Sequence, residues 1–383
     1  MYRLAYMSFS WLFTGLYATI PSDTIFYPRR QLMKTTITDI SKDTGLSIAT
    51  ISKYLNHKPV LPENAEKIKE SIKKLHYEPN QIAQSLRSKK TKTVALILPS
   101  LKDSLWGRIV NPISTSLIDS GYTPIICTND PLEASGFSLS SFLLHNQIAG
   151  AIAIGNAFTE SELLSFSKNQ LPIVCVDYDS TALGIDCVVS ANFLSAYEAG
   201  VYLIKRNHRR IGVIGGSQDS YTMRERSNGF LKALNEYQIP SYPEYCMYEA
   251  STVSEVQYLF RKLLSFPEPP TAVFLLNYTA FMGSFMEIMN NQIRIPEDIS
   301  LLCFERDAIF DTLSSKITSI EQNYTALGME AAKLFLKRIS AGTPAKRVLV
   351  PTTFLEGDSV AFVDLQSKTP QQATGHQTCC AAE

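Results

Sequence analysis

The chain has 383 residues, 45% of them hydrophobic and 10% aromatic, too long for one ordinary domain and ample for two or three packed cores. Lys+Arg and Asp+Glu both total 36, so the whole chain is neutral and exerts no general pull on a polyanion. The charge is unevenly placed: from Lys34 to Lys92 there are 12 basic and 6 acidic residues, giving +6 there and −6 elsewhere, which aims one end at nucleic acid.

The seven cysteines are an odd number with no C-x-x-C spacing. That pattern argues against a disulfide scaffold or a zinc site and favours reduced, buried thiols in a cytoplasmic protein. No metal, cofactor or catalytic grouping of Ser/His/Asp or Cys/His type is expected. The run from Leu4 to Ile20 is largely apolar behind Arg3, as in a signal peptide or an anchor, but serines, threonines and a glycine interrupt it. Because the basic region from Lys34 starts almost at once afterwards, residues 1–33 are expected to be an upstream or disordered segment foreign to the native protein, and no membrane partner is expected.

Thr36 to Asn56, TITDISKDTGLSIATISKYLN, reads as two short helices joined by a tight turn. Thr36 and Asp39 have the spacing of a capping box, Gly45 suits the positive φ of a helix end, and Ser47 can cap a second helix. Ile37, Ile40, Ile51 and Leu55 face inward. Thr36, Ser47, Ile48, Ala49, Thr50, Ser52, Lys53 and Asn56 are left for base edges and phosphates. Pro62 can open a third helix with an Ile68, Ile72, Leu75 stripe, and Asn80 can cap a short segment that follows.

S-I-A-T-I-S-K-Y-L-N, then L-H-Y-E-P-N, then A-Q-S-L-R together resemble the LacI/GalR family of bacterial transcriptional regulators. The resemblance spans about Lys34 to Val363. It implies a helix-turn-helix domain over residues 34–79 and a hinge helix and linker over 80–92. Within the hinge, Asn80 to Leu86 folds on DNA and places Leu86 in the minor groove, with Ala83 and Arg87 beside it.

From Val94 onward, short apolar strands alternate with helices, the mark of a parallel α/β sheet. Expected strands are 94–98, 124–127, 150–155 and 173–176, with helices over 105–120, 137–146 and 159–167. The alternation repeats with strands at 188–189, 211–214, 272–276 and 300–304 and helices over 193–206, 224–237 and 280–290, then a helix over 324–339. The glycines of IGVIGG at 211–216 lack the G-x-G-x-x-G spacing of a dinucleotide fold. The fold class is therefore α+β multidomain: an all-α helix-turn-helix domain and a two-lobed, periplasmic-binding-protein-like α/β sensor over residues 93–366. A disordered tail is expected over 367–383.

By the resemblance, the chain crosses between lobes near Ser190 and again near 320–322, and an effector lies between them. The family holds it with an aromatic early in the first helix, here Trp106, an arginine opening the second lobe's first helix, here Arg226, and carboxylates after strands, here Glu305. Ser190 and Tyr278 stand where the family usually has aspartates. That exchange favours an anionic or aromatic effector over a neutral sugar. The whole implies a dimeric repressor, with double-stranded operator DNA of near-palindromic sequence and a small-molecule effector or protein corepressor as partners. A periplasmic-type solute-binding protein is the alternative, and it leaves residues 34–92 unexplained.

Overall fold

A computed structural model of the chain describes residues 35–55, 58–77, 91–101, 105–129, 138–146, 148–305, 316–341 and 344–364. The expectations placed on residues 1–33, Asn56, the hinge with Ala83, Leu86 and Arg87, and the tail lie outside these residues. The described residues form two compact units, one over 35–77 and one from 91 onward.

The first unit has three helices, α1 (Ile37–Thr44), α2 (Ile48–Leu55) and α3 (Pro62–Lys74). Asp39 Oδ2 accepts the Thr36 N–H at 2.9 Å and its hydroxyl at 2.7 Å, closing the start of α1. Gly45, at φ +71, ends α1, and the Ser41 hydroxyl donates to the Leu46 carbonyl at 2.6 Å to turn the chain. Ser47 Oγ then accepts the Thr50 N–H at 3.2 Å and starts α2. Each helix gives one fully buried isoleucine, Ile40, Ile51 and Ile68. So small a core rests on few side chains, and truncating any of them to Ala costs about 2–5 kcal/mol.

The second unit is two α/β lobes. In the first lobe, strands β1 (Thr93–Leu98), β2 (Thr123–Thr128), β3 (Gly150–Ile154), β4 (Ile173–Val176) and β5 (Asp186–Ser190) run parallel in the order β2-β1-β3-β4-β5, and β11 (Arg347–Val350) pairs parallel to β5 at the far edge. The second lobe repeats the order with β6 (Ile211–Ile214), β7 (Cys246–Met247), β8 (Ala272–Leu275), β9 (Ser300–Phe304) and β10 (Thr318–Glu321), as β7-β6-β8-β9-β10, edged by antiparallel β12 (Thr353–Leu355). In such doubly wound sheets, ligands bind beyond the carboxyl ends of the strands where the order reverses.

Central strands are buried on both faces, so they read as unbroken apolar runs. Val94, Leu96 and Leu98 of β1 face α4 (Leu105–Asp119) and α11 (Tyr324–Ser340), while Ala95 and Ile97 face Leu139 and Leu143 of α5 (Leu139–His145) and Phe166 of α6 (Glu160–Lys168). In the second lobe, α7 (Asn192–Lys205) packs on α8 (Tyr221–Glu236), and a Cβ on Gly229 would stand 2.1 Å from the Phe193 carbonyl oxygen. Helices α9 (Val253–Leu264) and α10 (Tyr278–Asn291) cover the other face.

Several elements depart from the sequence expectation. Helix α9 was not among the expected helices, although Thr252 and Glu255 form a capping box at its start. Strands β7, β10, β11 and β12 were not among the expected strands, being only two to four residues long. Helix α8 starts a turn earlier than Arg224. The chain crosses between lobes three times, at Ser190–Asn192, Glu321–Asn323 and again at Val350–Thr353, where Pro351 separates two short edge strands. The crossings are bonded to one another: Ser190 Oγ donates to Gln322 Oε1 at 2.6 Å, and the Ala191 N–H to the Val350 carbonyl at 3.0 Å.

Candidate functional site

In the first unit, α2 packs inward through Ile51 and turns Ser47, Ile48, Ala49 and Lys53 to solvent. Thr36 is also exposed, and Thr50 and Ser52 are half-buried. Ile48 keeps 38% of its surface exposed on the outer face of the helix, beside small and hydrogen-bonding groups. A helix with an apolar, a small and a cationic group along one outward edge has the make-up that reads a major groove, where thymine methyls take apolar contacts and guanine takes lysine. Ser47 and Thr50 also bond each other at 2.9 Å, which fixes both hydroxyls at the start of that helix.

In the second unit, the residues expected to hold an effector converge at the carboxyl ends of the two sheets. Trp106, half-buried on the helix after β1, lies over Gly155, where an added Cβ would meet the ring at 3.3 Å. Arg226 stands on α8, the helix after β6. Since α7 precedes β6, that is the lobe's second helix in chain order, one later than expected. Tyr278 opens α10 in the second lobe and packs, like Trp106, against the core of the first.

Arg226 is fully buried, with its guanidinium 3.7 Å from the centre of the Phe304 ring. Its Nε donates to Asn192 Oδ1 at 2.9 Å, and its Nη1 to the Leu276 carbonyl at 2.6 Å and to Glu305 Oε1 at 3.1 Å. Gln322 Nε2 donates to the same Glu305 oxygen at 2.9 Å, and Gln322 accepts from Ser190. Ser190, Gln322, Glu305, Arg226 and Asn192 thus form one hydrogen-bonded chain from the first crossing into the second lobe. This revises the reading of two residues. The Ser190 hydroxyl is committed to the crossing, and Arg226 has its charge met by Glu305, leaving only Nη2 without a partner. The case for an anion there loses its main support, whereas the aromatic walls remain.

One carboxylate was missed. Asp177 directly follows β4, at φ +59, with its Oδ1 buried and without a hydrogen-bond partner. Burial pushes its pKa up, opposed by the Arg226 charge. Asn192 Nδ2 is likewise buried without a well-formed hydrogen bond, although it and the Thr222 side chain lie near enough to Asp177 to favour its ionised form, as the Arg226 charge does. Buried polar atoms left unpaired are costly, and Arg226 Nη2, Asn192 Nδ2 and Asp177 Oδ1 can offer a small molecule both donors and an acceptor. The signal was present as an internal repeat: V-C-V-D at 174–177 and L-C-F-E at 302–305 end equivalent strands. At the cleft's other wall, the Arg108 guanidinium lies 4.4 Å from the centre of the Tyr324 ring.

Residues 201–360 match the periplasmic binding protein-like domain. The HTH-type transcriptional repressor PurR of Klebsiella pneumoniae (strain 342) is 30% identical over 339 residues, covering 86% of this chain and 98% of that protein. The NTD biosynthesis operon regulator NtdR of Bacillus subtilis (strain 168) is 28% identical, covering 85% and 99%. Among solved structures, the lac repressor dimer bound to operator and the anti-inducer ONPF superposes with a TM-score of 0.74 at 18% identity, over 86% of this chain and 99% of that one. The transcriptional regulator CelR in complex with cellobiose superposes at 0.63, with 22% identity over 85% and 100%. An outward-facing second helix, a doubled α/β sensor and a full-length relative at this identity together place the chain in the LacI/GalR family of transcriptional regulators.

Proposed function

We propose that the protein is a dimeric, cytoplasmic, effector-controlled repressor in which α2 of each subunit reads one half of a near-palindromic operator. The observation that carries this reading is the outward edge of α2, with Ile48, Ala49 and Lys53 exposed on a domain whose core is already complete. Two-fold pairing of subunits makes two such helices and so calls for two related half-sites. Support for pairing comes from α9 and α10, which pack side by side and leave Tyr258, Met286 and Met289 exposed. None of the helices among the described residues is long and apolar enough to cross a membrane.

The effector lies between Trp106 and Tyr278 and bonds Arg226 Nη2, Asn192 Nδ2 and Asp177 Oδ1. A molecule that fits these groups is uncharged or weakly charged, offers both a donor and an acceptor, and has a flat or apolar face for the rings. Relatives in this fold have been solved with cellobiose and with ribose. A thermal-shift screen of the full chain against sugars, nucleobases, amino acids and sugar phosphates tests the assignment. A compound present at a hundredfold over its Kd adds about 2.7 kcal/mol. Stabilisation confined to multiply charged anions would contradict the assignment.

A further inference from the structure

Asp177 and Tyr178 of the first lobe meet the first two residues of α8 in the second directly, and the next residue, Asp179, reaches them through Arg347. The Thr222 hydroxyl donates to the Asp177 carbonyl at 3.2 Å. The Tyr178 and Tyr221 rings meet edge to face with centroids 6.3 Å apart. Asp179 Oδ2 accepts from Arg347 Nε at 2.7 Å, and the same guanidinium donates from Nη2 to the Tyr221 hydroxyl at 3.2 Å. Asp179 is itself fixed by the Thr181 N–H and hydroxyl. Beyond these bonds, the Tyr221 ring packs against the core of the first lobe.

The contacts that cross between the lobes, at Thr222 and Tyr221, fall on the start of the helix that carries Arg226, and the Asp179 bonds hold Arg347 in place for them. Thr222 stands one turn before Arg226, so the two share a face of α8. A change in what Arg226 bonds therefore acts on a helix whose end is pinned to the opposite lobe.

We propose that Asp177, Tyr178, Asp179 and Arg347 form a clasp on Tyr221 and Thr222 that holds the lobes together without an effector, so that the effector adjusts a closure the chain already favours. This rests on the cleft being the effector site. A ligand shifts such an equilibrium only by the difference in its affinity for the two states. The clasp sets where that equilibrium starts. Its parts are residues of stiff geometry: two aromatic rings with edge contact, and an arginine fork held at one end by a carboxylate.

The test uses the full chain carrying Trp11→Phe, which leaves Trp106 as its one tryptophan, with no small molecule added. Small-angle scattering reads the spread of the lobes, and acrylamide quenching of Trp106 reads access to the cleft. Tyr221→Ala and Arg347→Met should each raise the radius of gyration and the quenching, as the closed-to-open ratio falls about tenfold. Tyr221→Phe keeps the ring and loses only the hydroxyl, and should fall between them and the parent; it guards against a variant that fails to fold. A parent already as extended and as quenchable as the variants would overturn the proposal, as would variants that move neither reading. Because no effector enters the experiment, a failed search for one would count against the effector assignment alone.

Discussion

Asp177 and Glu305 occupy the same place in the two lobes: each directly follows the strand third from the edge of its sheet, β4 and β9, and each sits at positive φ. Both are directed at Arg226, Glu305 through a hydrogen bond and Asp177 through its charge. Backbone held in that region by a residue with a Cβ costs about 1–3 kcal/mol, which the surrounding fold must offset. The cleft is thus built on one cation between two acids of opposite lobes.

Asp177→Asn tests the missed acid through pH. Burial raises the folded pKa of Asp177 above its ordinary 3.8, so between the two values the folded state binds the proton more readily than the unfolded one. Its contribution to stability is therefore present at low pH and lost as pH rises through that window. In urea denaturation the advantage of the asparagine variant over the parent should grow as pH rises from 4 and level off once Asp177 is ionised. An advantage independent of pH would refute the assignment.

Arg226→Ala should be destabilising by about 3–5 kcal/mol, because it removes the cation that compensates the buried Glu305 carboxylate, which keeps the hydrogen bond from Gln322 Nε2. Replacing both partners, Arg226→Met with Glu305→Leu, should cost less than Arg226→Ala alone. Chemical denaturation of the three proteins decides it; equal losses in the single and the double variant would show that the pair is not a unit.

His208 makes the second lobe sensitive to acid. Its Nε2 donates to the Ala361 carbonyl, its Nδ1 pairs with the Thr271 hydroxyl, and burial lowers its pKa from 6.5 to about 4. The unfolded chain takes up the proton first, so stability falls as pH drops from 6.5 to 4, by about 3 kcal/mol in all. His208→Gln should flatten that part of the pH profile, which thermal unfolding at closely spaced pH values would reveal.

Lys53 separates reading of sequence from grip on the backbone. If its exposed side chain reaches a base edge, Lys53→Ala should weaken operator binding more than non-operator binding, by about 1–3 kcal/mol. Equal weakening on both DNAs, with a shallower salt dependence, would assign it to phosphate.

The first unit was readable in sequence because its signals are local: the Thr36 and Asp39 pair, Gly45, Ser47 and Pro62 each fix a helix end within a few residues. The central strands were readable because burial on both faces leaves unbroken apolar runs. What escaped depends on pairing across the chain. Strand β11 exists through Asp186–Ser190, more than 150 residues earlier, and its four residues carry no period of their own. Within the cleft, the family resemblance pointed to Trp106, Arg226 and Glu305. The compensation of Arg226 by Glu305, the commitment of Ser190 to Gln322 and the clasp on Tyr221 are relations between distant segments that no spacing encodes.

The most direct measurement of the central claim is selection of bound sequences from random double-stranded DNA by the full chain, followed by footprinting. The account predicts one enriched near-palindromic site protected over two symmetric half-sites, with enrichment lost in an Ile48→Ala, Lys53→Ala double variant that remains folded. Recovery of no preferred sequence, or of a single half-site without a symmetric partner, would contradict it.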